Sequence, residues 1–388
     1  MQAGADGEWN PGHIVLAWRA WLTRPIDRLA GSRRWSWWTG LWAFSVGILV
    51  AGLNPRADAS SEQWRYIIDH TRGDLVAPAV PGSREANLTF RIVPRLVGRV
   101  LHLSSPYQFL IVQWLLAIVM LAVIARLLDE ALDDRRAAVV GTFGAVGLWA
   151  VASAWTDPRG NFDAAAVLLL LVAMLVRKPP LILVGALAAT FVDERAFIVA
   201  PLVALWHLLR DDDPRQPKAM RDLAWVPALT VVAAMAAHLV IRSWLKARYG
   251  VGEGQNRSPG DPWTQLNNYP NGIWGALEGY WLVALAGLAT MWRSGRRLLA
   301  TGASLVIGVT LLVGVSVFDI SRSVGFIFPI VPVALLAMRP VERSWKESLL
   351  WVAAAVSLLW PLLYAADDRT VVWEYPLPLL IVDWAMNG

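Results

Sequence analysis

The chain has no cysteine in its 388 residues. That excludes a disulfide framework, a cysteine zinc cluster and a thiol nucleophile. Lysine is nearly as scarce, supplying four of the 35 basic residues. Only 17% of residues are charged, against 56% hydrophobic and a mean hydropathy of +0.45. A set of soluble domains is excluded by that balance, and the net charge of +5, scattered in short loops, gives no footprint for nucleic acid.

What is present is a succession of apolar blocks, each roughly 15 to 20 residues, the length that crosses a bilayer core of about 30 Å. Tryptophan is abundant, and Trp35, Trp37, Trp38, Trp155, Trp225, Trp292 and Trp345 stand at block ends, where indole favours the headgroup layer. The blocks predict an all-α polytopic membrane protein of about eleven transmembrane helices. The spans are expected near 37–53, 107–127, 137–154, 164–176, 181–192, 196–209, 223–241, 273–291, 299–317, 324–338 and 348–364.

Arginine-rich connections set the orientation, because Lys and Arg accumulate in cytoplasmic loops. With the N-terminus in the cytoplasm, ARLLDEALDDRR, RKPP, RDDDPRQPKAMRD, WRSGRR and RPVERSWKE all fall on that side. The opposite turns, WTDPRGNFD, DER and FDISRS, carry one Arg each. Residues 1–36 read as a cytoplasmic, interfacial amphipathic segment with Arg19, Arg24 and Arg28 between apolar residues. The transmembrane domain covers 37–364, and 365–388 form a tail on the outer side. His207 and His238 are expected to pack, and Asp211, Asp212 and Asp213 to be solvated.

Two outer loops are long. Residues 54–106 include SSEQWRYIIDH and NLTFRIVPRLVGRVLHL, both with apolar residues at helical spacing. The second aligns Arg91, Arg95 and Arg99 at i, i+4 and i+8 along one helix face. The loop 242–272 is rich in Gly, Pro and Asn around GVGEGQNRSPGDPW and reads as an irregular cap.

The stretch FVDERAF, residues 191–197, interrupts an apolar run from 181 to 209. Charges at mid-membrane cost about 2.5 to 3.5 kcal/mol each on insertion scales. If the chain turns at DER, each arm is only about 18 to 21 Å long. The turn then lies below the outer surface, where polar groups must line a cavity or pair within protein. Asp157, Asp163, Asp193, Glu194, Arg195, Asp319 and Arg322 all fall on that side. Together with Asp58, Asp69, Arg91 and Arg95 from the first loop they predict one acidic, arginine-lined cavity. The same residues also fit local structural roles: a DER knot in which Arg neutralises a carboxylate, and an N-cap at Asp163.

Arginine forks match phosphate oxygens, and a carboxylate can deprotonate an attacking hydroxyl. NPRADASSEQWRYIIDH, FRIVPRLVGRVLHL, TDPRGNFD, DERAF and DISRS, in this order and placement, resemble the GT-C superfamily of polyprenyl-phosphate-dependent membrane glycosyltransferases. The likeness is one of architecture over most of the chain, without the acidic dipeptide commonly found directly after the first span. It implies sugar transfer from a polyprenyl-phosphate donor to a glycan or lipid acceptor on the periplasmic face of a bacterial inner membrane. By the same resemblance Asp58, Asp69 and Asp163 are the catalytic candidates. Asp157, Arg91, Arg95, Asp193, Glu194, Arg195, Asp319 and Arg322 are the binding candidates, and a divalent metal is left open. An O-antigen-type polymerase or ligase, a lipid or glycan flippase, and a membrane scaffold are the competing readings.

Overall fold

The computed structural model describes residues 23–53, 62–76, 80, 82–157, 159–212, 223–251, 262–317, 319–365, 371–374 and 376–387. Asp58, Asp213, residues 1–22 of the amphipathic segment and most of the Gly-Pro-Asn cap lie outside them; residues 23–31 are helical.

The described chain is mostly helical. Its helices are α1 (Trp35–Ala51), α2 (Glu62–Arg72), α3 (Arg84–Leu88), α4 (Ile92–Val100), α5 (Pro106–Leu132), α6 (Arg135–Ala145), α7 (Trp149–Thr156), α8 (Asp163–Leu175), α9 (Pro179–Val192), α10 (Arg195–Val199), α11 (Pro201–Arg210), α12 (Trp225–Tyr249), α13 (Tyr269–Leu277), α14 (Tyr280–Arg293), α15 (Arg297–Val315), α16 (Ile320–Gly325), α17 (Ile330–Ala337), α18 (Arg343–Leu359) and α19 (Leu377–Asn387). A two-stranded antiparallel hairpin, β1 (Leu362–Ala365) with β2 (Val371–Glu374), precedes α19.

Among the described residues, α5, α12 and α15 are long and apolar enough to cross a membrane. The count is five if each of two bent pairs, α6 with α7 and the helix ending at Leu277 with α14, forms one span. The other predicted spans are occupied by shorter helices or by helices in pieces. This is consistent with a membrane protein, as is the outward apolar face of α12, where Val226, Leu229, Val232, Leu239 and Val240 are exposed. Contiguous apolar surface of that extent is rare on a soluble monomer.

Local chemistry explains the boundaries. Ser105 and Gln108 form a reciprocal capping box at the start of α5, with Pro106 at its first position. Asp133 ends α5 in the left-handed region, and Asp134 at once caps α6 by accepting from Arg136 N and Ala137 N. The last predicted span stops at Leu359, earlier than expected, because Pro361 forces Trp360 into an extended conformation. The residues that follow, LLYA, form a buried strand instead of the last helical turn. The all-α expectation is therefore corrected by one hairpin. Helix α1 lies directly on α5 at Gly40, where a Cβ would stand 2.7 Å from the Ile118 carbonyl oxygen.

The bundle has two polar ends. At one, Glu130 pairs with Arg210 (2.6 Å) and Arg177 (3.6 Å), while Arg339 donates to the carbonyls of Arg210 and Glu130 at 2.9 Å each. Asp134 pairs with Arg343 and Asp212 with Arg296. The basic connections of the sequence thus meet at one end. Asp212, expected to be solvated, is buried there, because the Arg296 guanidinium gives its charge a partner. Since the start of α9 and the end of α11 share this end, the chain between them reverses, and its tip is DER.

Candidate functional site

At the opposite end Asp163 opens α8, where the helix N-terminus favours negative charge. It does not cap the helix; Phe162 occupies that position without a side-chain bond. Its carboxylate is held from two sides. Arg195 Nη2 donates to Oδ1 at 3.2 Å, and Arg322 donates to both oxygens, with Nη2 2.9 Å from Oδ1. Arg195 also forks onto Asp193 at 2.8 Å twice and donates to Ser323 Oγ at 3.2 Å. Arg91 reaches Asp193 at 2.9 Å and Glu194 at 3.7 Å.

The network continues from Arg322 to Asp319 at 3.0 Å, and Asp319 accepts from the Tyr364 hydroxyl. The Arg159 guanidinium sits 4.9 Å over the Tyr364 ring and forks onto Asp157. Asp157 accepts from Asn161 Nδ2 at 2.8 Å, and Asn161 Oδ1 accepts from Gln63 of α2 at 2.8 Å. Trp64 of α2 packs on Phe162 and Gly160. The first loop therefore roofs the site through Gln63, Trp64 and Arg91.

Most of this network is withdrawn from solvent. The Asp157, Asp193 and Asp163 side chains are 0%, 1% and 5% exposed. Its edges are open: Arg159 is 35%, Asp319 37% and Glu194 41% exposed. Buried charges persist only when paired, and here guanidinium and carboxylate alternate. Burial by itself would raise the Asp319 carboxyl, but Arg322 and the Tyr364 hydrogen bond outweigh it and hold Asp319 below the usual carboxylate range.

The expected convergence is present for Asp157, Asp163, Asp193, Glu194, Arg195, Asp319, Arg322 and Arg91, as a packed ion-pair network. The expected arginine stripe is not a stripe. Arg91 precedes α4 and turns to Asp193; Arg95 is buried against the carbonyls of Leu88, Thr89 and Arg91; Arg99 binds carbonyls at the end of α2. Each guanidinium goes to the acceptors nearest its own turn, so Arg95 and Arg99 hold the loop. Asp69 is exposed on α2. Asp58 lies outside the described residues.

Sequence reading missed Arg159, Asn161, Tyr364, Gln63 and Ser323. One signal was available. In DPR (157–159) and DER (193–195) the Asp Oδ1 accepts from the backbone N–H of the Arg two residues on, at 3.0 Å in both. The same Oδ1 accepts from that Arg's Nε, at 2.9 and 2.8 Å. An Asx-type turn folds each Arg back onto its own Asp, so D-x-R is a prefabricated, oriented ion pair.

Around the network, His207 Nε2 lies 2.9 Å from the Ala173 carbonyl and His238 packs between Phe191 and Phe197, as packing residues do. Guanidiniums separate the carboxylates, and among the described residues no three His, Cys, Asp or Glu side chains converge to hold a metal ion. No family model, curated protein or solved structure matches the chain.

Proposed function

We propose that this chain is a multi-pass membrane glycosyltransferase of GT-C-like architecture, taking a sugar from a polyprenyl-phosphate donor to a glycan or lipid acceptor. In this reading all eleven apolar segments lie within the bilayer and the N-terminus is cytoplasmic. The ion-pair network then lies at the periplasmic face of the bacterial inner membrane. The positive-inside distribution supports that orientation: Arg177, Arg210, Arg296, Arg339 and Arg343 gather at the end opposite the network.

The observation that carries the reading is the meeting of Arg91, Asp163, Arg195 and Arg322, from four separate segments, under a roof made by the first loop. Intramembrane ionisable groups are rare and costly, and those that pair with one another are functional-site candidates by default. Asp163 and Asp193, each gripped by two arginines, fit the role of anchors that aim the guanidiniums. Arg159 reaches solvent at 35% exposure, and Arg91, 16% exposed, faces the partly open Glu194, so these two guanidiniums at the edge of the network are the ones placed to take a lipid phosphate. The acceptor proton would pass to a carboxylate of the first loop, the exposed Asp69 or Asp58, which lies outside the described residues.

The test is binding of polyprenyl phosphate against uncharged polyprenol to the full chain in lipid nanodiscs, read by native mass spectrometry. The phosphate lipid is expected to be retained at least about tenfold better, a difference of about 1.4 kcal/mol, and Arg159→Gln with Arg91→Gln should remove the preference. Equal retention of both lipids would sink the proposal.

A further inference from the structure

A second buried carboxyl stands apart from the network. Glu278 occupies the break between α13 and α14, where the chain bends by 78°. Its residue is 0% exposed, and among the described residues neither carboxyl oxygen has a hydrogen-bond partner. Its backbone has φ 44° and ψ −122°, a region that non-glycine residues enter at a cost of order 1 to 3 kcal/mol. The neighbouring position is the glycine: a Cβ on Gly279 would stand 2.4 Å from the Ala353 carbonyl of α18. So α18 closes directly on the bend and seals the glutamate inside.

Among the described residues no counter-ion faces it. Ser357 of α18 faces the carboxyl as a neutral hydroxyl and brings no charge to it. From α14 the adjacent titratable group is Tyr280, whose hydroxyl donates to the Gly141 carbonyl of α6. The charged residues of α18, Arg343, Lys346 and Glu347, end ten residues before Ser357, about 15 Å along the axis. On α14, Arg293 closes a helix of 14 residues, about 21 Å away. Arg135 and Arg136 begin α6, where Arg136 pairs with Asp27 and Arg135 lies over Trp35. The elements packed on α13 bring apolar groups: Gly272 meets Ile320 of α16 and Gly275 meets Leu363 of β1. A metal cation would need several oxygen ligands, and no set of three ligating side chains exists here among the described residues.

We propose that Glu278 is a proton-binding site, a carboxylic acid carried as the neutral acid inside the bend of a broken span. An ionised carboxylate buried without a charged partner costs several kcal/mol, and such a group neutralises instead. Releasing the proton requires water or a cation to enter, which means separating α18 from the bend. Because α13 also abuts α16, the helix bearing Arg322, movement at Glu278 would be felt at the network. This inference does not depend on the proposed sugar transfer.

The test is thermal unfolding of the full-length protein in one detergent, from mildly acidic to mildly alkaline pH, for wild type and Glu278→Gln. The amide keeps the shape and has no proton to lose. Above the ordinary carboxyl range the unfolded chain has released this proton while the folded chain still holds it. Wild-type stability should therefore fall relative to the variant as pH rises, the folded-to-unfolded ratio dropping about tenfold per pH unit until the acid ionises in the folded state. A difference that is flat with pH, or that moves in favour of the wild type, overturns the proposal.

Dicyclohexylcarbodiimide gives a second measurement. The acid proton passes to a carbodiimide nitrogen as the carboxylate oxygen adds to the central carbon, so the Glu278 peptide gains the mass of one intact reagent. Labelling is expected in wild type and not in Glu278→Gln, and a water-soluble carbodiimide should be much slower. Equal labelling by the water-soluble reagent would show an open, hydrated carboxylate and contradict the proposal.

Discussion

Arg322 and Asp163, 159 residues apart in the chain, meet fork to carboxylate, with Nη2 2.9 Å from Oδ1 and Nε on Oδ2. The pair joins the start of α8 to α16. Because Arg195 holds the same carboxylate, one aspartate ties three segments together.

Removing that carboxylate leaves the buried Arg195 and Arg322 guanidiniums with only Asp193 and Asp319 to balance them. Asp163→Asn is expected to destabilise the folded protein by about 3 to 5 kcal/mol, the range for breaking one partner of a buried ion pair. Replacing both partners, as in Asp163→Asn with Arg322→Gln, should cost less than the sum of the single changes. A double-mutant cycle on detergent-solubilised protein measures this, and strict additivity would mean that the pair is not energetically coupled.

The pH response of Asp319 has a definite sign. Its folded-state carboxyl lies below its ordinary value, with Arg322 and Tyr364 overcoming the effect of burial. Its contribution to stability is thus fully present above the ordinary carboxylate range and is lost as pH falls through the lower folded value. Melting temperatures of wild type and Asp319→Asn should converge at acid pH and separate above about pH 4, with the wild type higher.

Gly40 tests the seam between α1 and α5. With the Ile118 carbonyl oxygen 2.7 Å from a would-be Cβ, the backbones must move apart for any side chain. Gly40→Ala should cost about 1 to 3 kcal/mol, despite the better helix propensity of alanine. Chemical or SDS unfolding of the purified variant checks it.

Tryptophan exposure separates lipid-facing from packed positions. Trp37 and Trp292 are 53% and 54% exposed, whereas Trp35, Trp155 and Trp206 are buried. In bilayers containing brominated lipids, single-tryptophan variants keeping Trp37 or Trp292 should be quenched strongly, and those keeping Trp155 or Trp206 weakly. Equal quenching would place the helices differently in the membrane.

Much of this arrangement is legible in the sequence. The apolar run on either side of DER pointed to a turn there, because one helix of that length overshoots a bilayer unless it tilts strongly. The basic loops showed which connections share an end. Long-range partner choice was not legible. Nothing local to Tyr364, inside an apolar stretch, announces that its hydroxyl serves Asp319; that contact exists because Pro361 ends α18 and a strand follows. The arginine stripe failed for a related reason: helical spacing aligns Cβ atoms, but long side chains go to whichever acceptors lie closest. Of the tryptophans placed at block ends, Trp35 and Trp155 are buried because their indoles pack between helices, Trp35 under Arg126 and Arg135, and Trp155 against Phe44 and Gly47.

The most direct measurement is an electron cryomicroscopy map of the full chain in nanodiscs with polyprenyl phosphate bound. The expected result is phosphate density within hydrogen-bonding distance of Arg91 or Arg159, with Asp163 still gripped by Arg195 and Arg322. Phosphate beside Arg177, Arg210 or Arg339 at the other end of the bundle would contradict it.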